Sequence, residues 1–291
     1  MERTLISPMF LKRHRVAYFT VLILMITVFA IVFVFPFYWM ITSALKDPQE
    51  VIQPTPTLIP QSFHPETYAK AWNNLKIGHF FLNTAFYALG SWLFQIIIDV
   101  AAAYALSKLR PVFGGVILGA MLASLMLPMT ALLVPAYLTV SDVPIFGWNL
   151  INTPWALWLP AAANAFNIYV LKRFFDQIPV DILDAAAIDG AGKFRLLWSI
   201  VLPLSRPVLA VTSIFALVGA WKDFLWPLLV LQDPSVQNLS VALSRMGATS
   251  GVTPFTQLLA GLVFASIPMV VVFLVFQRHI LSGLAAGSMK G

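Results

Sequence analysis

Residues 16–40 read VAYFTVLILMITVFAIVFVFPFYWM, 25 positions in a row without a charged side chain. A bilayer core of about 30 Å is crossed by about 20 helical residues. The run is therefore long enough to span. It is too long for the apolar core of a secretion signal, and no small-x-small cleavage site follows the basic Lys12, Arg13 and Arg15 that precede it. Working outward, five more segments pass the same test: 80–106, 113–138, 154–175, 207–231 and 257–281. The fourth is the weakest, because Pro160, Asn164 and Asn167 interrupt it. Composition agrees, with 59% hydrophobic residues, 10% charged residues and a mean hydropathy of +0.84. Soluble domains carry roughly 25% charged residues. The expectation is an all-α polytopic membrane protein with six transmembrane helices in a single domain.

Cysteine is absent, which excludes disulfides, thiolate metal sites and cysteine nucleophiles. A net charge of +6 would suggest nucleic acid in a soluble chain, but here it reads as basic residues beside membrane lipids, with no nucleic-acid partner. With the N-terminus inside, the inner loops hold Arg3, Lys12, Arg13, Arg15, Lys108, Arg110, Lys172, Arg173, Lys193, Arg195, Arg206, Arg278 and Lys290. The outer side keeps Lys46, Lys70, Lys76, Lys222 and Arg245. Thirteen against five places both termini in the cytoplasm. Two outer loops follow, 41–79 with five prolines and several aromatics, and 232–256, which is polar and rich in small residues. The first reads as an ordered cap. One inner loop is long, 172–206, and a short tail, 282–291, closes the chain.

The inner loop carries the strongest signal. Pro179 suits a helix start, Asp181 and Asp184 favour the positive end of its dipole, and Gly190 is placed to end it. Ala185 to Ala187 make a narrow face that another protein can approach closely. A second helical stretch, 194–202, follows, and Pro203 and Pro207 break the chain before the next span. A helical hairpin with a smooth face and an acidic edge reads as a docking element. Gly190-Ala191-Gly192-Lys193 is not a phosphate loop. Ala187 stands at the first glycine position and Phe194 at the Ser/Thr position, and the context is helical.

Asp184-Ala185-Ala186, three residues, Gly190, nine residues, then Ile200-Val201-Leu202-Pro203 resembles the coupling loop of binding-protein-dependent ABC importers, E-A-A-x3-G-x9-I-x-L-P. The departure is Asp184, where that family usually has Glu. Pro36-Phe37-Tyr38-Trp39-Met40 with Ser43-Ala44-Leu45-Lys46, and Trp221-Lys222-Asp223-Phe224-Leu225-Trp226-Pro227, are similar to the second permease subunit of maltose-type carbohydrate importers. Lys222 stands where that branch has Asn. The tail Phe276-Gln277-Arg278, Gly283-Leu284, Gly287 and Lys290-Gly291 is similar to the same branch.

The resemblance implies a type I importer permease fold and ATP-driven uptake of a di- or oligosaccharide by alternating access. It also implies a bacterial inner-membrane location. The implied partners are a second permease, a dimer of ATPase subunits that bind ATP and Mg, and an external solute-binding protein. Asp184, Ala185, Ala186, Asp189, Gly190, Ala191, Ile200, Leu202 and Pro203 would form the ATPase-coupling loop. Gly287, Lys290 and Gly291 would reach the ATPases, and the outer loop 232–256 would enter the binding protein.

Other polar residues lie within the spans. Asp99 reads as a structural hydrogen bond inside the bundle in preference to a pathway lining. Asn164 and Asn167, three apart on one helix face, either line a polar path or tie helices together. Lys222 and Asp223 fit the outer interface, where lysine can snorkel. The four histidines are scattered, so no metal is expected. The alternatives are an importer of glycerol phosphate or a polyol, or a stand-alone secondary transporter. The latter would need its own ion site or broken inverted repeats.

Overall fold

The computed structural model describes residues 15–248 and 253–288, with side chains in the last helix described as far as Phe276. Among the described residues the regular structure is helical, beside one isolated bridge between Val143 and Trp148. In chain order the helices are α1 (Arg15–Ala44), α2 (Pro48–Val51), α3 (Glu66–Asn74), α4 (Ile77–Tyr104), α5 (Gly114–Ser124) and α6 (Met129–Ser141). Then come α7 (Trp155–Ala161), α8 (Ala165–Asp176), α9 (Val180–Ile188), α10 (Lys193–Leu196) and α11 (Leu202–Leu204). The last are α12 (Arg206–Lys222), α13 (Leu225–Val230), α14 (Leu239–Ala248) and α15 (Phe255–Ser288). Two π-helical turns, Ala105–Leu109 and Leu197–Val201, extend α4 and join α10 to α11.

The chain packs as two units. In the first, residues 15–75 and 253–264, α1 exposes apolar side chains along most of its length. The chain then folds back on the end of α1. Thr57 links two buried opposite charges: its carbonyl accepts from the Lys46 ammonium, and its hydroxyl donates to the Glu50 carboxylate. Glu50 also accepts from the Gln61 N–H, and Lys46 lies 4.4 Å from the centroid of the Trp39 ring. Buried charges are tolerated when they are paired in this way. Tyr38 donates to the Leu58 carbonyl (2.8 Å), and Trp72 packs edge-on to Phe264. The 41–79 segment is thus an ordered structure.

In the second unit, residues 76–248 and 265–288, α4 is the spine, with α7, α8, α12 and α14 packed on it. One buried cluster gathers at its end around Val100, Ala103, Tyr104, Leu171, Phe175, Ile178, Leu197 and Val201. Another surrounds Tyr87, Leu157, Trp226 and Val230. Three tryptophans fasten it: Trp226 Nε1 donates to the Ala156 carbonyl (2.9 Å), Trp158 Nε1 to that of Tyr87 (3.2 Å) and Trp221 Nε1 to that of Ala265 (3.1 Å).

Six spans are expected from the sequence, the fourth of them interrupted, and the helices differ in part. By length and composition α1, α4 with its π turn, and α15 can cross a membrane; two bent pairs raise the count to as many as five. The expected third span, 113–138, is α5 and α6 meeting at 109°. Pro128 starts α6 from an extended conformation, and a proline disfavours helical geometry in the residue before it. The fifth is preceded by an 83° bend at Ser205, between Pro203 and Pro207 as expected, and α12 stops at Lys222 where Asp223 turns extended.

The fourth span, 154–175, is two helices, α7 and α8. Their junction is held by the residues that seemed to weaken it. The Asn164 side chain caps α8 by accepting from the Asn167 N–H (3.0 Å), and the Asp99 carboxylate accepts the Asn164 N–H (2.9 Å). Asp99 is 1% exposed and gives that N–H its partner within the unit. Asp99→Ala leaves it unpaired and should destabilise the protein by about 1–3 kcal/mol, read as a lowered unfolding temperature in detergent. Asp99→Asn keeps an acceptor and should lose less; equal losses for the two variants would refute the capping role.

Candidate functional site

Two features carry chemistry. The first is the hairpin 176–206. Pro179, extended at ψ 134°, precedes α9 as its cap residue, so Asp181 lies in the first turn and Asp184 in the second. At the far end Gly190 adopts φ +82°, the left-handed conformation that glycine enters without penalty. Its N–H donates to the Ala187 carbonyl (3.0 Å) and the Ala191 N–H to that of Ala186 (2.9 Å). This pair of bonds is a Schellman cap. The three-residue gap between Ala186 and Gly190 is what that geometry needs. The same cap shows that Gly190–Lys193 is a helix end and not a phosphate cradle.

Further on, the π turn Leu197–Val201 widens the helix just ahead of Pro203, which lacks an N–H and would crowd the carbonyl four residues back. Ile200 is half-buried, Leu202 half-buried and Pro203 exposed. No residue of α9 is buried. Around it Ile188 is 87% exposed, Phe194 82% and Trp198 69%. Large apolar side chains are thus displayed beside an acidic, alanine-faced helix.

The base of the hairpin is fixed. Ser107 Oγ donates to Asp176 Oδ1 (2.7 Å), Lys172 forms an ion pair with Asp176 (2.8 Å), and Lys108 donates to the Ile178 carbonyl (3.2 Å). On the other arm the Tyr104 hydroxyl donates to the Lys193 carbonyl (2.9 Å). Desolvation opposes ionisation of Asp176, but the Lys172 and Ser107 hydrogen bonds outweigh it and hold the carboxyl below its ordinary range.

The second feature is an open cavity of about 890 Å³ along α4. Its polar wall is Thr84, Ser91 and Gln95 from α4, Asn164 and Asn167 at the start of α8, and Lys222, Asp223 and Asn238. Phe166, Phe215, Phe224 and Trp226 supply aromatic surface. Asn164 and Asn167 line the cavity, and the Asn164 N–H ties the start of α8 to α4. Asp99 stands behind the wall, beside Gln95 and Asn167. Thr84, Ser91 and Gln95 escaped the sequence reading, although with Asp99 they recur at seven-, four- and four-residue intervals, a polar stripe down one face of an apolar helix.

Asp223 faces the backbone N–H groups of Phe224 and Trp226. Lys222 is exposed on the wall and has no ion-pair partner among the described residues. In the 232–256 segment, Leu239, Val241, Ala242 and Leu243 of α14 are buried, and Leu239 N–H donates to Thr84 (2.9 Å); positions 249–252 lie outside the described residues. Of the tail residues, Gly287 falls in the last turns of α15, while Lys290 and Gly291 lie outside the described residues.

Known proteins share the sequence pattern and the fold of this chain. The model of the binding-protein-dependent transport system inner membrane component family matches residues 99–285. A probable ABC transporter permease of Bacillus subtilis is 30% identical over 90% of this chain and 86% of its own length. A Yersinia pestis permease of an sn-glycerol-3-phosphate transport system is 30% identical over 90% and 94%. A Streptomyces coelicolor permease of a diacetylchitobiose uptake system is 28% identical over 91% and 87%. In fold, the chain is similar to one of a bacterial ABC transporter that imports the acidic polysaccharide alginate, with a TM-score of 0.81 at 24% identity over 94% of this chain and 99% of that one. The chain belongs to the family of binding-protein-dependent transport system inner membrane components.

Proposed function

We propose that this permease carries a carbohydrate, in the di- to oligosaccharide range, across a bacterial cytoplasmic membrane by alternating access, with both termini in the cytoplasm. A second permease completes the path, an external binding protein delivers the solute, and two ATPase subunits supply the energy. This chain is the non-catalytic subunit, as its family membership states. Membership also sets aside the stand-alone secondary transporter. The observation that carries the mechanism is α9: an exposed helix, terminated by a Schellman cap and ringed by Ile188, Phe194 and Trp198, offered on a rigid base. Asp184, Ala185, Ala186, Asp189, Gly190 and Ala191 would meet the ATPase. Ile200, Leu202 and Pro203 shape the return arm, and Gly287, Lys290 and Gly291 would reach the same partner. The cavity with its mixed aromatic and amide wall suits a polyhydroxylated solute, and two of the relatives are permeases of sugar and sugar-polymer importers.

One observation favours a second reading, an anionic solute. Lys222 presents an unpaired cation to the cavity, while the neighbouring carboxylate is engaged by backbone. The glycerol-3-phosphate and alginate systems among the relatives carry anionic cargo.

Three outcomes are expected. Gly190→Pro or Asp184→Lys should abolish uptake by the intact complex while membrane levels of the chain stay normal; undiminished uptake by both variants would sink the docking assignment. A tag on the N-terminus should react only with reagents that enter the cytoplasm, and labelling from outside would reverse the topology. Lys222→Gln should lower uptake of an acidic oligosaccharide by about tenfold, the equivalent of about 1.4 kcal/mol, and leave a neutral one of equal length unchanged. Parallel loss of both would return Lys222 to a structural role.

A further inference from the structure

The hairpin is fastened to the rest of the unit through one helix end. Tyr104, Ser107 and Lys108 occupy the last turn of α4 and its π-helical extension, and their partners sit on both arms of the hairpin: Asp176 and Ile178 immediately before α9, Lys193 immediately after α10 begins. Ser107 is 1% exposed and Tyr104 7%, so these bonds lie where water competes poorly. Val100, Ala103 and Tyr104 pack in the same cluster as Phe175, Ile178, Leu197 and Val201, which backs each bond with close-packed side chains. α9 itself packs on that cluster through Leu183, partly buried, so a displacement applied to it reaches the rest of the unit through this contact and the bonds at its two ends.

The other half of α4 lines the cavity with Thr84, Tyr87, Ser91 and Gln95. One unbroken α-helix of twenty-eight residues carries both places, and Thr84 and Tyr104 lie about 30 Å apart along it at 1.5 Å per residue. A helix of this kind moves as a rod.

We propose that Tyr104 and Ser107 are positioning residues of transport: they lock both arms of the hairpin to α4, so that movement of α9 tilts the helix face that walls the cavity. The lock has two sides, because one bond alone would let the hairpin pivot about it. Asp176 suits its role, since the Lys172 ion pair keeps it charged and a charged acceptor strengthens the Ser107 bond. This inference rests on the docking reading of α9 given above.

The test uses the complete transporter, purified with its partners and reconstituted in liposomes, and reads solute uptake and ATP hydrolysis in the same preparation. Tyr104→Phe with Ser107→Ala should leave hydrolysis stimulated by the loaded binding protein near the parental rate. Uptake per ATP should fall about tenfold, the scale set by losing two buried hydrogen bonds. Tyr104→Phe alone removes one oxygen and keeps the packed ring, so it reports even if the double variant assembles badly, and it should show a smaller fall in the same ratio. Uptake and hydrolysis falling in proportion would mean a purely structural role and overturn the lock, as would an unchanged ratio. Asp184→Lys in parallel separates the two ideas. If it uncouples and the Tyr104 and Ser107 variants do not, only the lock falls; if it leaves both activities intact, the docking reading falls and takes the lock with it.

Discussion

The Asn164 N–H donated to the Asp99 carboxylate is the interaction on which the rest of the second unit depends. Hydrocarbon offers a backbone group no water, so each interruption of a spanning helix needs a partner supplied by the protein. At the junction of α7 and α8 that partner is a carboxylate from α4, and a side-chain amide from the junction itself caps the first turn of α8. With the break satisfied, α8 can start in mid-unit, place Asn164 and Asn167 on the cavity, and run on to Asp176 at the base of the hairpin. A continuous fourth helix could not do this and also leave the cavity open beside it.

The same arrangement gives α4 its central place. It supplies the carboxylate that closes the junction, the polar wall of the cavity and the hydroxyls that hold the hairpin. These lie along one helix, and polar residues at Thr84, Ser91, Gln95, Asp99 and Ser107 are all buried, a costly set to bury unless each is engaged or faces a cavity. The two apolar clusters at either side of that stripe keep the helix in place.

Much of this could be read from the residues. Membrane class, the all-α fold and three of the spans follow from uninterrupted apolar runs, and the hairpin follows from a spacing that a Schellman cap makes necessary. The breaks were legible in part: Pro203 and Pro207 flag the bend at Ser205 and Asn164 the junction of α7 and α8, whereas the bend at Pro128 was not read. Pro36, Pro135, Pro160 and Pro268 sit inside helices, whereas Pro128 marks a sharp bend. The lock at Tyr104 and Ser107 was hidden. Its partners are 89 and 69 positions away, and tyrosine and serine near a helix end carry no distinctive spacing. The polar stripe on α4 was visible in principle but was overshadowed by its one charged member, Asp99.

The exposure of α9 has a consequence for local stability. A nine-residue helix in water is shorter than the length at which isolated helices hold their shape, and most helices in proteins are stabilised by an apolar face packed on the fold. This one packs only partly on its own chain, through Leu183, and none of its residues is fully buried. Its order comes from its ends, Pro179 before it and the Gly190 cap after it, and from alanines that lose little entropy on becoming helical. Its amide protons are accordingly among the first to exchange with solvent in the free subunit. Assembly with a partner that covers the alanine face would bring its stability up toward that of the bundle. Protection of its amides would then gauge whether such a partner is in place.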